Sequence, residues 1–331
     1  MKAIIPAAGA GTKLRPHTYT QPKALIPMAG KTILSVIVDA LLHSGVTEFI
    51  FIIGYLGEKI QDYVARQYPD LNATFVNQND RRGTGHAIWL TRDIVKDDEV
   101  LIIFGDTICD FNIRSVLDSP VSQIGLRRVD HPGMFGVAEL HKGDKVARVI
   151  EKPKIPKSNL AIVGVYKIIE TAILFETLER YLGQPTTGED GEYHLTHAIQ
   201  AMIDKGVPFE GFRVNNWFDC GQKETLLETN ATLLKTMENQ SPVDTSSYKN
   251  TVIIPPVSIG AGCSIKESII GPFVSIGENT DIRSSIVQDS IIGSFAQLDK
   301  VVLKKSIIGS DAYVHGLYQS LNIGDNTEID L

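Results

Sequence analysis

The chain has 331 residues, of which 43% are hydrophobic and 21% are charged, as in an ordinary globular protein. At about 150 residues per domain, this length predicts two domains. The formal net charge of −7 argues against a protein that binds nucleic acid by neutralising its phosphates. Three separated cysteines, with no C-x-x-C pair, exclude a disulfide scaffold and a structural zinc site and fit a reducing compartment. Because the N-terminus lacks a secretory apolar region and no apolar run approaches ~18 residues, we expect a cytoplasmic protein that does not bind membranes.

Strands and helices alternate through the first hundred residues. Apolar runs predict strands at 2–7, 48–53, 73–78 and 100–105, and helical spacing predicts helices at 33–44, 57–67 and 84–95. This alternation is typical of a parallel sheet with helices on both faces. Further strands are predicted at 121–129, 134–140, 145–150, 160–168 and 208–214, with helices at 170–182, 192–205 and 221–238.

Charge is distributed unevenly along this part of the chain. The first 38 residues contain five lysines and arginines and no acidic residue, and the first acid is Asp39. Such a segment creates a local positive field that suits an anion such as a phosphate. A basic surface loop without a ligand explains the charge alone equally well.

The composition changes after residue 238. Residues 239–250 are polar and rich in turn formers, which indicates a boundary between domains. Beyond it the dipeptide Ile-Gly recurs, and intervals of 16, 16 and 15 residues separate its last four copies, at Ile276, Ile292, Ile308 and Ile323. Short β segments repeated at this interval predict a parallel β-helix, with Gly or Asn at its corners. The predicted domains are therefore 1–240 and 251–331.

A glycine-rich turn follows the first strand, in the run A-A-G-A-G-T-K-L-R-P at 7–16, and Q-P-K-A-L-I-P follows at 21–27. Neither a P-loop nor a dinucleotide fingerprint fits, because the required glycines would fall at Leu25 and Leu14. The runs are similar to the G-x-G-T-R-L-x-P…P-K signature of sugar-1-phosphate nucleotidylyltransferases. The resemblance extends over residues 1–238, and the repeat tail resembles the left-handed β-helix of the long members of that family.

The resemblance implies a Rossmann-like α/β domain with a mixed, mostly parallel sheet. It also implies transfer of a nucleotidyl group to a sugar-1-phosphate, with release of pyrophosphate. Ala8, Gly9, Gly11 and Thr12 are expected to contact the triphosphate. The expected catalytic cations are Lys13, Arg15 and Lys23. Lys13 departs from the family signature, which has arginine there, and an ammonium cannot grip two oxygens as a guanidinium does. This departure keeps open a weakly active or regulatory relative.

The resemblance implies a base-recognition segment and a magnesium site. Gln78, Gly83 and Thr84 are expected at the base, because a glutamine amide can both donate to and accept from the edge of uracil or thymine. Taken alone, Gln78 is explained as the end of a strand, and Gly83 and Thr84 are explained as the glycine-capped start of a helix. Asp106 and Asp219 are the expected Mg²⁺ ligands against the nucleotide phosphates, although either alone could cap a helix. Asp110 is interpreted as structural.

Three segments match the sugar-phosphate site of the family, at 132–136, 151–153 and 164–166, and Glu192 in the run 191–196 is a further candidate. The residues implied there are Gly136, Glu151, Lys152, Gly164 and Glu192. Glu151 can accept hydrogen bonds from sugar hydroxyls, and Lys152 can hold the sugar phosphate. A Glu-Lys-Pro tripeptide alone is most often a solvated turn, so the argument depends on the whole set.

The histidines and the β-helix leave alternatives open. His86, His194 and His197 lack Cys or Glu at metal-ligand spacing and are interpreted as surface or hydrogen-bonded packing residues. His315 lies in the β-helix, where some proteins use a histidine base for acyl transfer. We expect instead that the β-helix caps the protein and supports a homo-oligomer, with the coil at 317–324 packing on a neighbour. The partners expected are dTTP or UTP and a sugar-1-phosphate, with glucose favoured by the family and the choice of base unresolved.

Overall fold

The computed structural model describes residues 1–141, 143–186, 191–237 and 248–316. The chain forms two compact units. The first comprises Met1–Ile26 and Lys31–Leu226, and the second comprises Pro27–Gly30 and the chain from Leu227 onward. The predicted domain limits of 1–240 and 251–331 stay a prediction, because residues 238–247 lie outside the described part of the chain.

The elements up to residue 237 follow the predicted order closely. The strands are β1 (Lys2–Pro6), β2 (Pro27–Met28), β3 (Lys31–Thr32), β4 (Glu48–Ile53), β5 (Asn72–Asn77), β6 (Val100–Ile103), β7 (Thr107–Asp110), β8 (Ser122–Arg128), β9 (Val137–Leu140), β10 (Val146–Ile150), β11 (Leu160–Ile168), β12 (Phe209–Arg213) and β13 (Asn216–Asp219). The helices are α1 (Ile33–His43), α2 (Gly57–Gln67), α3 (Thr84–Trp89), α4 (Arg92–Val95), α5 (Ile113–Leu117), α6 (Thr171–Leu182), α7 (Leu195–Asp204) and α8 (Lys223–Met237). Short 3₁₀ turns occur at Thr12–Leu14, His17–Tyr19, Lys23–Leu25 and Pro132–Met134.

A nine-stranded mixed sheet forms the centre of the first unit. Its order is β10-β9-β11-β6-β1-β4-β5, and β8 joins β11 to β12. The strands β6, β1, β4 and β5 are parallel, because a helix or long crossover returns the chain between them. Around β11 the pairing with β6, β8 and β9 is antiparallel. The predicted mixed α/β sheet is confirmed, and the antiparallel half departs from the all-parallel sheet that alternation predicts.

The parallel strands are apolar on both faces because both faces are covered. Ile4 and Ile50 join one buried cluster with Leu174 of α6 and Ile199 of α7. The next residues along the same strands, Ile5 and Phe51, face the opposite side of the sheet and are fully buried as well. Such two-sided burial explains why these strands read as continuous apolar runs in the sequence.

Two predicted helices differ from the structure for local reasons. The helix predicted at 84–95 is divided into α3 and α4, and the Thr91 hydroxyl between them donates to the Ile88 carbonyl. Such a side-chain bond competes with regular helix pairing. The helix predicted at 192–205 begins only at Leu195, since the backbone of Tyr193 pairs instead with Arg82 and Gly85.

The second unit contains the predicted left-handed parallel β-helix. Its strands are β14 (Val252–Ile253), β15 (Val257–Ile259), β16 (Ser264–Lys266), β17 (Ile269–Ile270), β18 (Val274–Ile276), β19 (Asp281–Arg283), β20 (Ile286–Gln288), β21 (Ile291–Ile292), β22 (Gln297–Asp299), β23 (Val302–Lys304), β24 (Ile307–Ile308) and β25 (Tyr313–His315). They form three parallel sheets of four strands each, so every third strand stacks in register. The coil predicted at 317–324 lies outside the described residues.

Two glycines of the Ile-Gly repeat have a different role from the predicted corner position. Gly277 and Gly293 do not adopt positive φ. A Cβ on either would lie 2.4 Å from a backbone nitrogen of the next coil. Positive φ falls instead on residues such as Asn279, Phe295 and Asp311. Gly277 and Gly293 are therefore needed because the coils approach closely, whereas Gly271 of the Ile270-Gly271 copy takes positive φ (+106°), as the corner prediction expects.

Among the described helices, none has the length and apolar content needed to cross a membrane.

Candidate active site

An ion-paired cluster lies where the chain leaves strand β6. The Lys23 ammonium donates to Asp106 Oδ2 at 2.5 Å and lies 3.7 Å from Asp219 Oδ1. The lysine side chain is only 14% exposed, whereas the Asp106 and Asp219 side chains are 39% and 50% exposed. Two carboxylates that reach solvent thus converge on one buried cation.

Distant parts of the sequence form this cluster through strand pairing. Strands β7 and β13 form an antiparallel ribbon that places Asp219 opposite Thr107, the neighbour of Asp106. The Cys220 amide donates to the Asp106 carbonyl at 3.1 Å and closes the ribbon at that end. A Cβ on Gly221 would lie 3.0 Å from Asp219 Oδ1 and 3.4 Å from Lys23 Nζ, so the backbone there passes close to the cluster.

The charges of the cluster are strongly interdependent. Burial alone lowers the pKa of Lys23, but the charge of Asp106 and its hydrogen bond outweigh burial and leave the pKa above its ordinary value. Burial raises the pKa of Asp219, and the nearby Asp106 charge adds to this, while Lys23 and Lys13 oppose it. The lysine therefore stays charged and compensates carboxylates that would otherwise repel each other.

The cluster has the donor chemistry of a magnesium site. Asp106 and Asp219 supply hard carboxylate oxygens that face a common position, now shared by an ammonium. Among the residues that the structure describes, no group of three or more His, Cys, Asp or Glu side chains could hold a metal alone. Mg²⁺ usually takes one or two carboxylates and completes its shell with water and phosphate oxygens. The pair therefore fits Mg²⁺ brought together with a phosphorylated ligand.

A first cavity of about 240 Å³ opens on one side of Asp106. It is lined largely by backbone and small residues, and the predicted site residues among them are Ala8, Gly9, Lys23, Gln78, Gly83, Thr84, Asp106 and Glu192. No atom lies within 4 Å of the position that a Cβ on Gly9 would take. The turn after β1 thus leaves open space beside its backbone, next to Lys23.

Gln78 is buried in the wall of the first cavity. Its Nε2 donates to the Gly83 carbonyl at 3.0 Å and lies 3.2 Å from His86 Nδ1. The sequence predicts that Gln78 both donates to a ligand and accepts from it, but these two contacts occupy both amide hydrogens. The Oε1 atom remains as an acceptor for a ligand N–H.

Gly83 is fixed by a close backbone approach. Its φ is +104°, and a Cβ would lie 2.6 Å from the Tyr193 carbonyl oxygen. The Tyr193 amide donates to Arg82, and the Gly85 amide donates to Tyr193. This pairing joins the start of α3 to the segment that carries Glu192. Glu192, predicted with the sugar-phosphate residues, accordingly lines the first cavity.

A second cavity of about 200 Å³ opens on the other side of Asp106. The predicted residues that line it are Thr84, Asp106, Gly136, Glu151, Lys152, Gly164 and Asp219. Glu151 Oε2 accepts from the Thr196 hydroxyl at 2.7 Å, and its Oε1 lies 4.0 Å from both Lys152 Nζ and His194 Nδ1. A carboxylate held in this way offers its remaining lone pairs to ligand hydroxyls.

Two glycines shape the wall of the second cavity. Gly164 interrupts the β8–β11 register with φ +80°, and a Cβ there would lie 2.9 Å from the Phe104 ring. A Cβ on Gly136 would lie 3.1 Å from Glu151 Oε2. Larger residues at either position would displace Phe104 or Glu151 from the cavity.

Four predicted residues of the basic segment line neither cavity: Gly11, Thr12, Lys13 and Arg15. Gly11 has φ +59°, and a Cβ would lie 2.9 Å from Thr18 Cγ2. The Arg15 guanidinium lies 4.8 Å from the centre of the Tyr19 ring. Lys13 is exposed, yet its charge acts on the pKa of Asp219. Of the two cations beside the glycine turn, Lys13 is thus the one coupled to the carboxylate pair.

Several residues of the second cavity were not predicted: Phe104, Phe135, Tyr166, His194, Thr196 and Trp217. His194 was interpreted as a packing residue, and it is both buried and part of the cavity wall. Trp217 packs edge-on against Phe135, and its Nε1 is buried with no hydrogen-bond partner among the described residues. All except Thr196 lie within two residues of a predicted position, which was the one signal available in the sequence, and Thr196 lies four residues after Glu192.

The family predicted from the motifs is confirmed by comparison with known proteins. A nucleotidyl transferase family model matches residues 2–236. The chain is 32% identical over 273 residues to a glucose-1-phosphate thymidylyltransferase of Streptomyces antibioticus, covering 80% of this chain and 74% of that protein. It is 36% identical over 238 residues to the bifunctional protein GlmU of Methanocaldococcus jannaschii, covering 71% of this chain and 54% of that protein.

A solved structure supports the fold. UDP-glucose pyrophosphorylase complexed with UDP-glucose aligns over 71% of this chain and 98% of its own, with a TM-score of 0.62 and 22% identity. Together with the family match over most of the chain, these findings lead to one conclusion: the chain belongs to the nucleotidyl transferase family and is an enzyme of the sugar-1-phosphate nucleotidyltransferase type.

Proposed function

We propose that this enzyme transfers a nucleotidyl group from dTTP or UTP to a sugar-1-phosphate, with glucose-1-phosphate as the favoured acceptor, and that it requires Mg²⁺. The products are a nucleoside diphosphate sugar and pyrophosphate. One observation supports this assignment above the others: the first and second cavities share Thr84, Phe104 and Asp106 in their walls. Two ligands in adjoining cavities would meet at the Lys23–Asp106–Asp219 cluster.

The reaction is one displacement at phosphorus. A phosphate oxygen of the sugar-1-phosphate forms a bond to the α-phosphorus, and the bond from that phosphorus to the bridging oxygen of pyrophosphate breaks. Little covalent work falls to the protein in such a transfer, so positioning and charge stabilisation dominate. Asp106 and Asp219 would hold Mg²⁺, which neutralises charge on the reacting phosphates when bound.

Lys23 supplies the buried positive charge at the meeting point. Its contacts with Asp106 and Asp219 keep it protonated, so it can stabilise negative charge that develops on the phosphates. The open backbone beside Gly9 gives phosphate oxygens access to amide donors, and Lys13 adds mobile positive charge from outside. These groups stabilise the anionic ligands without a covalent intermediate.

The base preference follows from Gln78. Because both hydrogens of its amide are used inside the protein, Oε1 can accept from a ring N–H. Uracil and thymine carry such an N–H at N3 and guanine carries one at N1, whereas cytosine N3 and adenine N1 are acceptors, so this contact disfavours CTP and ATP. The similarity to a glucose-1-phosphate thymidylyltransferase adds support for dTTP with glucose-1-phosphate. UTP presents the same edge and remains part of the proposal.

The second cavity suits the sugar phosphate. Glu151 can accept from sugar hydroxyls, and Lys152 beside it can hold the phosphate. The buried Trp217 Nε1 can donate to an oxygen of the bound sugar, which would supply the acceptor that the described residues lack.

The test is pyrophosphate release with Mg²⁺ across UTP, dTTP, ATP, GTP and CTP, each with glucose-1-phosphate and N-acetylglucosamine-1-phosphate. We expect turnover with dTTP or UTP, and loss of turnover on the order of 1000-fold in Asp106→Asn, which should remain folded. Retained turnover in Asp106→Asn would remove the metal assignment. Silence of the folded wild-type protein across the panel would instead support a regulatory subunit that senses sugar nucleotides.

Acyl transfer by the β-helix is a second candidate, supported by one pair of side chains. His315 Nδ1 lies 3.0 Å from Asp299 Oδ2, an arrangement that could orient the ring as a base. The histidine is 47% exposed. Acetyl-coenzyme A consumption that disappears in His315→Ala would support this activity, and no consumption by the wild type would exclude it.

The cytoplasmic location and the homo-oligomer expected from the sequence stay predictions.

A further inference from the structure

A buried polar network in the second unit holds the segment Pro27–Gly30 through hydrogen bonds to the Ala29 amide. The Ala29 amide donates to Asn230 Oδ1 at 2.8 Å and lies 3.0 Å from Ser275 Oγ. The Ser275 hydroxyl donates to the same Asn230 oxygen, and Asn230 Nδ2 donates to the Phe273 carbonyl at 3.3 Å. Asn230 is fully buried, and Ala29 and Ser275 are at most 4% exposed.

The segment Pro27–Gly30 contains a left-handed backbone conformation that is unfavourable without stabilising contacts. Ala29 adopts φ +47°, a left-handed backbone that costs an alanine of order 1 kcal/mol. A Cβ on the next residue, Gly30, would lie 2.6 Å from Ser258 Oγ. The Ala29 amide in this turn is satisfied by donating to Asn230 and Ser275. The turn and the network therefore depend on each other.

The two chain segments that meet in this network each follow a residue of the Lys23–Asp106–Asp219 cluster. Pro27 is preceded by Ile26, whose amide donates to the Lys23 carbonyl in the turn that carries the catalytic ammonium. Asn230 lies on α8, a continuous helix that begins at Lys223, four residues after Asp219. One asparagine thus ties together the backbone that follows Lys23 and the helix that follows Asp219.

We propose that Asn230 is a positioning residue for the nucleotidyl transfer. By fixing Ala29 and α8 to the same coil of the β-helix, it sets the spacing between Lys23 and Asp219 without contacting a ligand. The β-helix then has a role in catalysis through the two chain segments it holds. This inference rests on the proposed function, since that function gives Lys23 and Asp219 their roles.

The experiment compares Asn230→Ala and Ser275→Ala with Ser290→Ala in the full chain. Ser290 is a matched control because it is another fully buried serine of the β-helix, whose hydroxyl donates to Gln288 and whose oxygen accepts from Ser306. We expect kcat to fall by about tenfold in Asn230→Ala and less in Ser275→Ala, with both KM values little changed. Ser290→Ala is expected to lower the melting temperature without lowering kcat. Asn230→Asp, which keeps the acceptor for Ala29, should restore part of kcat.

A second readout does not depend on turnover. An amine-reactive ester, followed by peptide mass spectrometry, measures how fast Lys23 is labelled. Loss of the spacing should weaken its ion pair, so labelling is expected to rise several-fold in Asn230→Ala and to match the wild type in Ser290→Ala. Equal labelling and equal kcat in all three proteins would overturn the inference while leaving the proposed function intact. If the wild type has no turnover, the proposed function fails, and the labelling result still decides whether Asn230 positions Lys23.

Discussion

The two cavities beside Asp106 are lined by different kinds of groups. The first is formed mainly by backbone and small residues, with open space beside Gly9 and a close backbone approach at Gly83. The second is formed largely by side chains, with Glu151 held by Thr196 and several aromatic rings in the cavity wall. The first lies on the parallel half of the sheet, and the second lies largely on the antiparallel half around β11.

This difference separates two ways of recognising a ligand. Backbone amides beside a glycine turn bind phosphates whatever is attached to them, since the triphosphate is common to all nucleotides. Side chains projecting from several strands can match the hydroxyl pattern of one sugar. Changes of sugar specificity are therefore expected to arise in the second cavity, with the first cavity unchanged.

Gly9→Ala should show the largest effect that is confined to the first cavity. No protein atom lies within 4 Å of the new Cβ, and Gly9 is not in the left-handed region, so the melting temperature should not change. A methyl group that displaces the triphosphate should lower kcat/KM for the nucleotide by about 100-fold. Gly183→Ala, an ordinary-φ glycine in neither cavity, is the control. Unchanged kinetics in Gly9→Ala would mean that no ligand approaches this turn.

Glu151→Gln should affect the second cavity alone. The amide keeps the shape of Glu151 but loses the charge that accepts from hydroxyls, so kcat/KM for the sugar phosphate should fall by about 10- to 100-fold. The KM for the nucleotide should not change. Glu139→Gln is a matched control, since Glu139 is a partly buried glutamate of β9 that lines neither cavity. A rise in the nucleotide KM of Glu151→Gln would contradict the division between the cavities.

Acidification should weaken nucleotide binding in the first cavity through the protonation of His86. Burial, together with Arg82, holds the pKa of His86 below its ordinary 6.5, so its neutral ring accepts from Gln78. Protonation removes this acceptor, and the KM for the nucleotide should rise several-fold as pH falls through the lowered pKa. His86→Asn should lack this rise, whereas exposed His131→Asn should keep it. Ratios to the wild type cancel the titration of the phosphates, and parallel curves for His86→Asn and the wild type would contradict the assignment.

The same group makes stability depend on pH. The unfolded chain binds a proton at His86 near pH 6.5, and the folded protein binds it only at lower pH. Its contribution to the free energy of unfolding is therefore fully present above pH 6.5 and is lost as pH falls through the folded-state pKa. Urea denaturation of the wild type and His86→Asn at several pH values measures it.

Lys13→Arg should have the smallest effect. Lys13 is exposed and acts on Asp219 by charge at a distance, a function that arginine performs equally well. Exposed charge interactions are worth at most about 1 kcal/mol, so kcat should stay within about fivefold of the wild type. A large gain in rate would instead indicate a site degraded by the loss of the family arginine.

Most elements of the first unit, and the residues of the first cavity that carry its polar groups, could be predicted from the sequence alone. Apolar runs identified β1, β4 and β6, because strands buried on both faces need continuous apolar residues. Gly9 and Asp106 lie just after β1 and β6, and Gln78 comes directly after β5, so the family motifs beside these strands were enough to find them. The repeat of Ile-Gly likewise predicted the β-helix, because each coil stacks on the next at a constant interval.

The contacts that depend on pairing between distant segments could not be predicted from local sequence patterns. Strand β13 joins β7 across about a hundred residues and brings Asp219 to Lys23. His194 and Trp217 enter the second cavity through the packing of α7 and β13 against other strands, which no local pattern encodes. The Asn230 contact with Ala29 spans 201 positions of the chain. Contacts of this kind form only when the whole chain has folded, since their partners share no local sequence signal.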